Sequence, residues 1–314
     1  MKEEPANICE MPKSPTFLVC GAAQAGTSYL STSISEHPEI FMPVKTTPEP
    51  HFFLKDWEYE KGFGSYLQEW FSGVGAENAI GEKSSSYLYG GEVVARRIIN
   101  AVPSVKLIVM LRDPVERAWA NYRFTALNGL EPYSFEDAIR YESKRNSSAQ
   151  GRWKTIKPFD YTGRSMYGKQ IEAFLRVFPR EQLLVLKSED FRADSAGGFK
   201  KVFDFLGVEN SFLPKKMPQF NSPNVISPEI QSQCRSVFGD RFGEVLRYVR
   251  ARNSDCSSIV RNSCEEEALS RLKENITEEA HVIPDRLQAQ LRRLFHDDVI
   301  KLSNIVDFSV DDWI

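Results

Sequence analysis

The chain has 314 residues, with 40 Lys and Arg set against 43 Asp and Glu, 41% apolar residues and 12% aromatic ones. That length buries a substantial core, and an ordinary charged fraction without low-complexity tracts excludes global disorder. A formal charge of −3 argues against the strongly basic surface that nucleic acid or another long polyanion selects, while leaving room for a local basic pocket around one small anion.

In chain order, residues 1–15 form a polar, Pro-containing N-terminal extension with neither an apolar signal core nor an Arg-rich transit pattern. The apolar runs at 17–23 and 107–111 are far shorter than a membrane span. Runs at 16–20, 106–111 and 182–186 are short, rich in Val, Leu, Ile or Phe, and do not alternate, which predicts strands buried on both faces of a parallel sheet. Helical patterns occupy 27–36, 91–101, 114–127, 134–141, 167–178, 199–206 and 284–306. Within 167–178, Ile171, Phe174, Leu175 and Phe178 share one helix face, as a core-facing helix requires. Strands alternating with helices predict right-handed βαβ units and a three-layer α/β fold, a central parallel sheet flanked by helices. Residues 210–227 hold three prolines and read as a long surface connection, and polar, Ser-rich 250–267 reads as a loop or insertion. The expectation is one α/β domain over 1–314 with a helical C-terminal extension.

Cys9, Cys20, Cys234, Cys256 and Cys264 are an odd count without metal spacing, and Cys20 lies in an apolar run. These features favour a reducing, cytoplasmic setting. Asn146-Ser-Ser and Asn275-Ile-Thr match the glycosylation pattern, which matters only on a secretory route.

After the first predicted strand comes Gly21-Ala-Ala-Gln-Ala-Gly26-Thr27-Ser28, opening a helix. Two glycines with four residues between them match a Walker A loop, with Thr27 where that motif demands Lys. Small residues let backbone N–H groups converge on one anion, and the helix start adds partial positive charge. Thr27 and Ser28 add hydroxyl donors. The bland alternative is an ordinary Gly-rich turn, but its place at the first βα turn is where such sheets bind nucleotides. Without the Lys, and without a Mg²⁺-binding Asp at a later strand end, an ATP or GTP kinase is disfavoured. A nucleotide handled without metal fits better.

Four segments in order carry a family resemblance. They are the loop from Phe17 to Ser28 with a helix ending at His37-Pro38, then Glu49-Pro50-His51-Phe52-Phe53, then Gly81-Glu82-Lys83-Ser84, and Leu107-Ile-Val-Met-Leu-Arg112-Asp113-Pro114-Val-Glu-Arg117. Glu189-Asp190-Phe191, Phe205-Leu206-Gly207-Val208 and Asp311-Asp312-Trp313 continue it. The chain resembles the sulfotransferases that use PAPS (3′-phosphoadenosine 5′-phosphosulfate), especially the bacterial and heparan-sulfate-type branch. The resemblance implies a P-loop-like α/β fold and transfer of a sulfuryl group from PAPS to a hydroxyl or amine, releasing 3′,5′-diphosphoadenosine without a metal.

It also implies roles. Ala23, Gln24, Ala25, Gly26, Thr27 and Ser28 would cradle the phosphosulfate, and Arg112 would hold the 3′-phosphate with its planar fork. Glu49, set between two prolines, would be the general base, with His51 orienting it or serving as the base itself. Lys83 would offset charge developing on the leaving phosphate. The bland alternatives are a solvated Glu49, a structural His51, an exposed strand-end Lys83, and an Arg112 paired with Asp113 or Glu116. Ser165 and Tyr167 fall where the resemblance implies nucleotide or helix-packing contacts.

Two positions depart from the family pattern. Gln24 stands where Lys is usual, and Ala120 where Ser is usual eight residues after the 3′-phosphate Arg. The first removes a charge-assisted bond, the second a hydroxyl contact worth on the order of 1 kcal/mol. Lys45, Lys55 or Lys83 are candidates to restore the charge. The expectation is an enzyme acting on a small-molecule or small-glycan acceptor, with no nucleic acid or membrane partner. The alternative is a binder of PAPS or its product that has lost turnover. Phe52, Phe53, Trp57 and Tyr59 are candidate walls of the acceptor pocket.

Overall fold

A computed structural model describes residues 12–44, 48–215, 223–251, 259–279 and 281–314. Cys9, Lys45, Thr46 and Cys256, with most of the 1–15 extension and residues 252–258 of the expected loop, lie outside them. Contacts divide the chain into two units. The first is Met1–Arg112, Tyr167–Pro218 and Leu302–Phe308, and the second is Asp113–Met166, Gln219–Lys301 and Ser309–Ile314.

The first unit is built on β1 (Phe17–Gly21), β2 (Ile40–Phe41), β3 (Ala79–Lys83), β4 (Lys106–Leu111) and β5 (Leu183–Lys187). They pair in the order β2-β3-β1-β4-β5, all parallel. Every residue of β1 is buried, which is why its Val and Leu side chains run without alternation. Phe17, Val19, Ile108 and Met110 meet Leu30 and Ile34 of the helix Thr27–Ile34 and Phe199 and Phe203 of the helix Ser195–Leu206 in one core cluster. Glycine is required at Gly81, where a Cβ would sit 2.3 Å from the Phe17 ring. The register sets Val19 beside Lys83 and beside Ile108, and Leu111 beside Lys187. The C-terminal ends of β1, β3 and β4 therefore emerge at one edge, carrying the loop, Lys83 and Arg112. In open α/β sheets that edge is where ligands bind.

The second unit is mainly helical. The helix Pro114–Leu127 begins as its sequence dictates, with Pro at its first position and Asp113 Oδ1 accepting from Val115 N at 2.8 Å and Glu116 N at 3.1 Å. The expected helix at 134–141 extends over Phe135–Ser148. Two expectations need correction here. The connection at 210–227 contains a strand, β6 (Asn224–Val225), paired antiparallel with β7 (Ile276–Thr277). The polar stretch expected as loop over 250–267 contains the start of the helix Ser263–Asn275, capped by Asn262 Oδ1 on Glu265 N at 2.9 Å. Its polar residues are an acidic first turn, and the apolar Ala268, Leu269 and Leu272 that reveal the helix come after it. Asn275 is buried and bonded to Ser227 O and Gln231 Oε1, so its glycosylation triplet is not presented at the surface.

Candidate active site

The loop after β1 leaves the strand at Gly21 and turns into the helix at Gly26, whose φ of 100° lies in the left-handed region, as does Gln24 at 70°. Ala22 N donates to Met110 O at 2.7 Å, seating the loop on β4. A Cβ on Gly26 would lie 3.1 Å from Met110 Sδ and 3.5 Å from Ser188 Oγ. Ala25 and Thr27 are buried, Ala23 and Gln24 half-buried, and Gly26 and Ser28 exposed. The open side of the loop is thus backbone plus the Ser28 hydroxyl.

Lys83 closes the site from β3. Its Nζ donates to Ser28 Oγ at 2.9 Å and pairs with Glu49 Oε1 at 2.9 Å. Its side chain is 9% exposed, unlike a strand-end lysine in solvent. Lys83 lies against the loop where Gln24 supplies no charge, and Lys45 is outside the described residues. Lys55 sits at the start of the short helix Asp56–Tyr59.

Glu49 gathers further donors on its other oxygen. Ser85 N and Ser85 Oγ donate to Oε2 at 2.8 and 2.7 Å, and His51 Nε2 is 3.1 Å from it. Burial pushes this carboxyl up, but the hydrogen bond and charge of His51 and the charge and hydrogen bond of Lys83 outweigh it. The net effect holds Glu49 well below the usual carboxylate range, so it is ionised throughout the neutral region. His51 has a φ of 50°, strained for a non-glycine residue, and its N–H is tied to Ser84 Oγ at 2.8 Å.

The structure brings Glu49, His51, Lys83 and Ser28 into one cluster and adds Ser85, Ser84 and Glu82, to which sequence reasoning assigned no role. A signal existed: Gly81-Glu82-Lys83-Ser84-Ser85 is a strand end followed by hydroxyls, the residue type that satisfies carboxylates and loop N–H groups. Arg112 is half-buried at the end of β4. The carboxylate of Asp113 caps its helix and takes Arg292 at 2.5 Å.

Two other groups settle on the bland side. Ser165 is buried, accepting from Arg117 Nη1 at 3.2 Å and donating to Tyr161 O at 3.1 Å, which is helix packing. Phe52 and Phe53 are buried core rather than pocket wall, because Phe52 stacks on Tyr66 with ring centroids 4.5 Å apart and Phe53 meets Tyr87 edge-on. Tyr59 is half-buried with the Arg97 guanidinium 4.4 Å from its ring centroid. An aromatic-lined concavity does exist in the second unit. A pocket of about 320 Å³ is walled by the stacked Trp119 and Tyr122 with Phe135, and rimmed by the exposed Ile226 and Val282. No helix among the described residues is long and apolar enough to cross a membrane.

The Sulfotransferase domain profile matches residues 14–222, a span that holds the loop, Glu49, His51, Lys83 and Arg112. Mouse heparan sulfate glucosamine 3-O-sulfotransferase 3B1 is 31% identical over 202 residues, covering 64% of this chain and 48% of that protein. The human bifunctional heparan sulfate N-deacetylase/N-sulfotransferase 2 is 26% identical over 201 residues, covering 62% and 22% respectively. The chain thus spans half or less of the length of these curated relatives. Among solved structures, a sulfotransferase from Alicyclobacillus acidocaldarius superposes with a TM-score of 0.68 at 24% identity, over 96% of this chain and 99% of that one. The two share a fold.

Proposed function

The chain belongs to the sulfotransferase domain family, and from that premise we propose that it transfers the sulfuryl group of PAPS to a hydroxyl or amine of a small-molecule or small-glycan acceptor. One observation carries the proposal: a single ammonium, Lys83 Nζ, stands 2.9 Å from both the loop hydroxyl of Ser28 and the carboxylate of Glu49. It couples an anion-binding loop to an ionised base within one site.

In this reading the loop backbone from Ala23 to Ser28 binds the phosphosulfate, and Arg112 binds the 3′-phosphate. Glu49 takes the proton of the acceptor O–H or N–H as the acceptor atom bonds to sulfur. The bond between sulfur and the bridging oxygen breaks, and its electron pair leaves with the phosphate as 3′,5′-diphosphoadenosine. Lys83 and Ser28 stabilise the charge gathering on that oxygen. As Lys83 turns from Glu49 towards the donor, one of the interactions holding the Glu49 carboxyl low is withdrawn, and the carboxylate becomes a stronger base when the acceptor proton must be taken. His51 and Ser85 keep it oriented.

A binder without turnover is the alternative that the charge missing at Gln24 and the hydroxyl missing at Ala120 suggest. Lys83 in reach of Ser28 answers the first and favours turnover. The relatives named for heparan sulfate glucosamine support an amine- or hydroxyl-bearing sugar as one acceptor class, and a net charge of −3 favours a short acceptor over a long sulfated chain. We place the protein in the cytoplasm, where free thiols such as buried Cys20 and Cys234 and exposed Cys264 persist.

The test is direct. Purified protein with PAPS and a panel of phenols, alcohols and glucosamine-containing oligosaccharides is expected to release 3′,5′-diphosphoadenosine in an acceptor-dependent manner. Absence of binding to both PAPS and its product by calorimetry would sink the proposal.

A further inference from the structure

Directly beneath the segment that carries Glu49 and His51 lies a buried carboxylate that the reaction above does not use. Glu82, one residue before Lys83 on β3, is 1% exposed. Tyr66 donates its hydroxyl to Oε1 at 3.1 Å, Ser84 donates to Oε2 at 2.9 Å, and the Tyr87 hydroxyl is a third partner. Two of those hydroxyls also face the catalytic segment. Ser84 Oγ accepts the His51 N–H at 2.8 Å, and Tyr87 accepts the Phe53 N–H at 3.4 Å.

A hydroxyl has one proton. When Ser84 and Tyr87 give theirs to Glu82, their lone pairs are left to receive the two N–H groups. Glu82 thereby sets the direction of both hydroxyls and, through them, two alternate peptide groups in the turn that holds His51 at its strained φ of 50°. Such conformations persist only where surrounding contacts over-determine them. Nothing in simple packing asks for a carboxylate here. Burial pushes Glu82 up to about 7, with the Tyr87, Ser84 and Tyr66 bonds opposing that and the charge of Glu49 adding to it. An uncharged residue of similar volume would fill the same space without that penalty.

We infer that Glu82 is a positioning residue for the reacting pair, acting through Ser84 and Tyr87 on the main chain of His51 and Phe53 and so on the contact between His51 and Glu49. The kinetic arm of the test rests on the sulfuryl transfer proposed above; the spectroscopic arm does not.

The experiment compares Glu82→Gln, Ser84→Ala, Ser84→Thr and Tyr87→Phe in the full chain. The chain has four histidines, His37, His51, His281 and His296, so the His51 imidazole signals are assignable by NMR from a His51→Gln spectrum. In Glu82→Gln and Ser84→Ala, the His51 ring signals are expected to move towards those of a free histidine, with the other three unchanged. The turnover number is expected to fall roughly tenfold or more while the KM for PAPS stays within about twofold, as mispositioning of a bound system implies. Ser84→Thr, which keeps the hydroxyl, is expected to restore both readouts. Should Glu82→Gln fail to fold, Ser84→Ala and Tyr87→Phe carry the same comparison. Unchanged His51 signals in folded Ser84→Ala and Tyr87→Phe overturn the inference, whatever the activity does. Moved signals in a chain without sulfuryl transfer uphold it and count against the proposed function alone.

Discussion

Lys83 makes two contacts from one nitrogen, and the chemistry of the site turns on that. A lysine is a point charge with three donors on a flexible stem, so it can bridge Ser28 and Glu49 in one state and follow a developing negative charge in another. Glu49→Gln keeps the volume but cannot accept a proton; turnover is expected to fall by about 10²- to 10⁴-fold, with affinity for 3′,5′-diphosphoadenosine nearly unchanged by calorimetry. A Gln variant retaining most of the wild-type rate would remove Glu49 from the role of base. Lys83→Met loses both contacts, so donor affinity and turnover should fall together. Because Gln24 leaves the loop one charge short, the double variant Gln24→Lys, Lys83→Met should regain donor affinity without regaining full turnover. If it regains neither, Lys83 is not the substitute for the missing loop lysine.

At the scale of elements, the parallel strands were legible because both faces are buried, leaving continuous apolar runs at 106–111 and 182–186 that match β4 and β5 closely. Helices with an unambiguous start were legible too, as at Asp113-Pro114. The two-residue β2 was not, since its residues Ile40 and Phe41 carry no period and only pairing with Ala79 and Ile80 makes them a strand. The helix Phe63–Phe71 was hidden because its aromatics, including Tyr66, lie in a cluster with Phe52 and Phe53 whose members read equally well as a pocket wall. The segment Gly81-Glu82-Lys83 shows how an element constrains the site it carries. Gly81→Ala would press a methyl into the Phe17 ring and is expected to cost about 1–3 kcal/mol by denaturant unfolding. Phe17→Leu in the same chain should recover part of that loss, and failure to recover any would mean the close approach is not the cause.

At the scale of the molecule, two buried carboxyls among the described residues tie stability to pH. Burial pushes Glu82 up to about 7 and raises Glu142 well above the usual range, where Asp160 adds to the effect. Each binds a proton in the folded chain that it has lost in the unfolded chain above its ordinary value. Their contribution to stability therefore falls as pH rises from the unfolded value near 4.5 through the folded values, and is level beyond them. The thermal midpoint is expected to be higher at pH 6 than at pH 8.5, and the Glu82→Gln and Glu142→Gln variants should each flatten that slope. A wild-type midpoint that rises across this range would contradict the assignment. Glu49 acts with the opposite sign but at pH below its ordinary value, so it does not enter this window.

Local order was enough to predict a parallel α/β sheet and the loop at its first crossover, and the family resemblance pointed to the residues proposed for sulfuryl transfer. Periodicity, caps and glycine spacing are written in neighbouring residues, and chain order alone lines up segments centred on Gly26, Glu49, Lys83 and Arg112. What only the tertiary structure decided was which cation meets the loop and what holds the Glu49 carboxylate. Lys83 reaches Ser28 across 55 positions, Ser85 reaches Glu49 across 36, and Ser84 links Glu82 to the His51 N–H across 33. Those contacts exist because the register of β1 against β3 brings distant strand ends to one edge. Hydrogen bonds of that reach leave no period in a sequence, since either partner alone is an ordinary polar residue until the sheet sets them face to face.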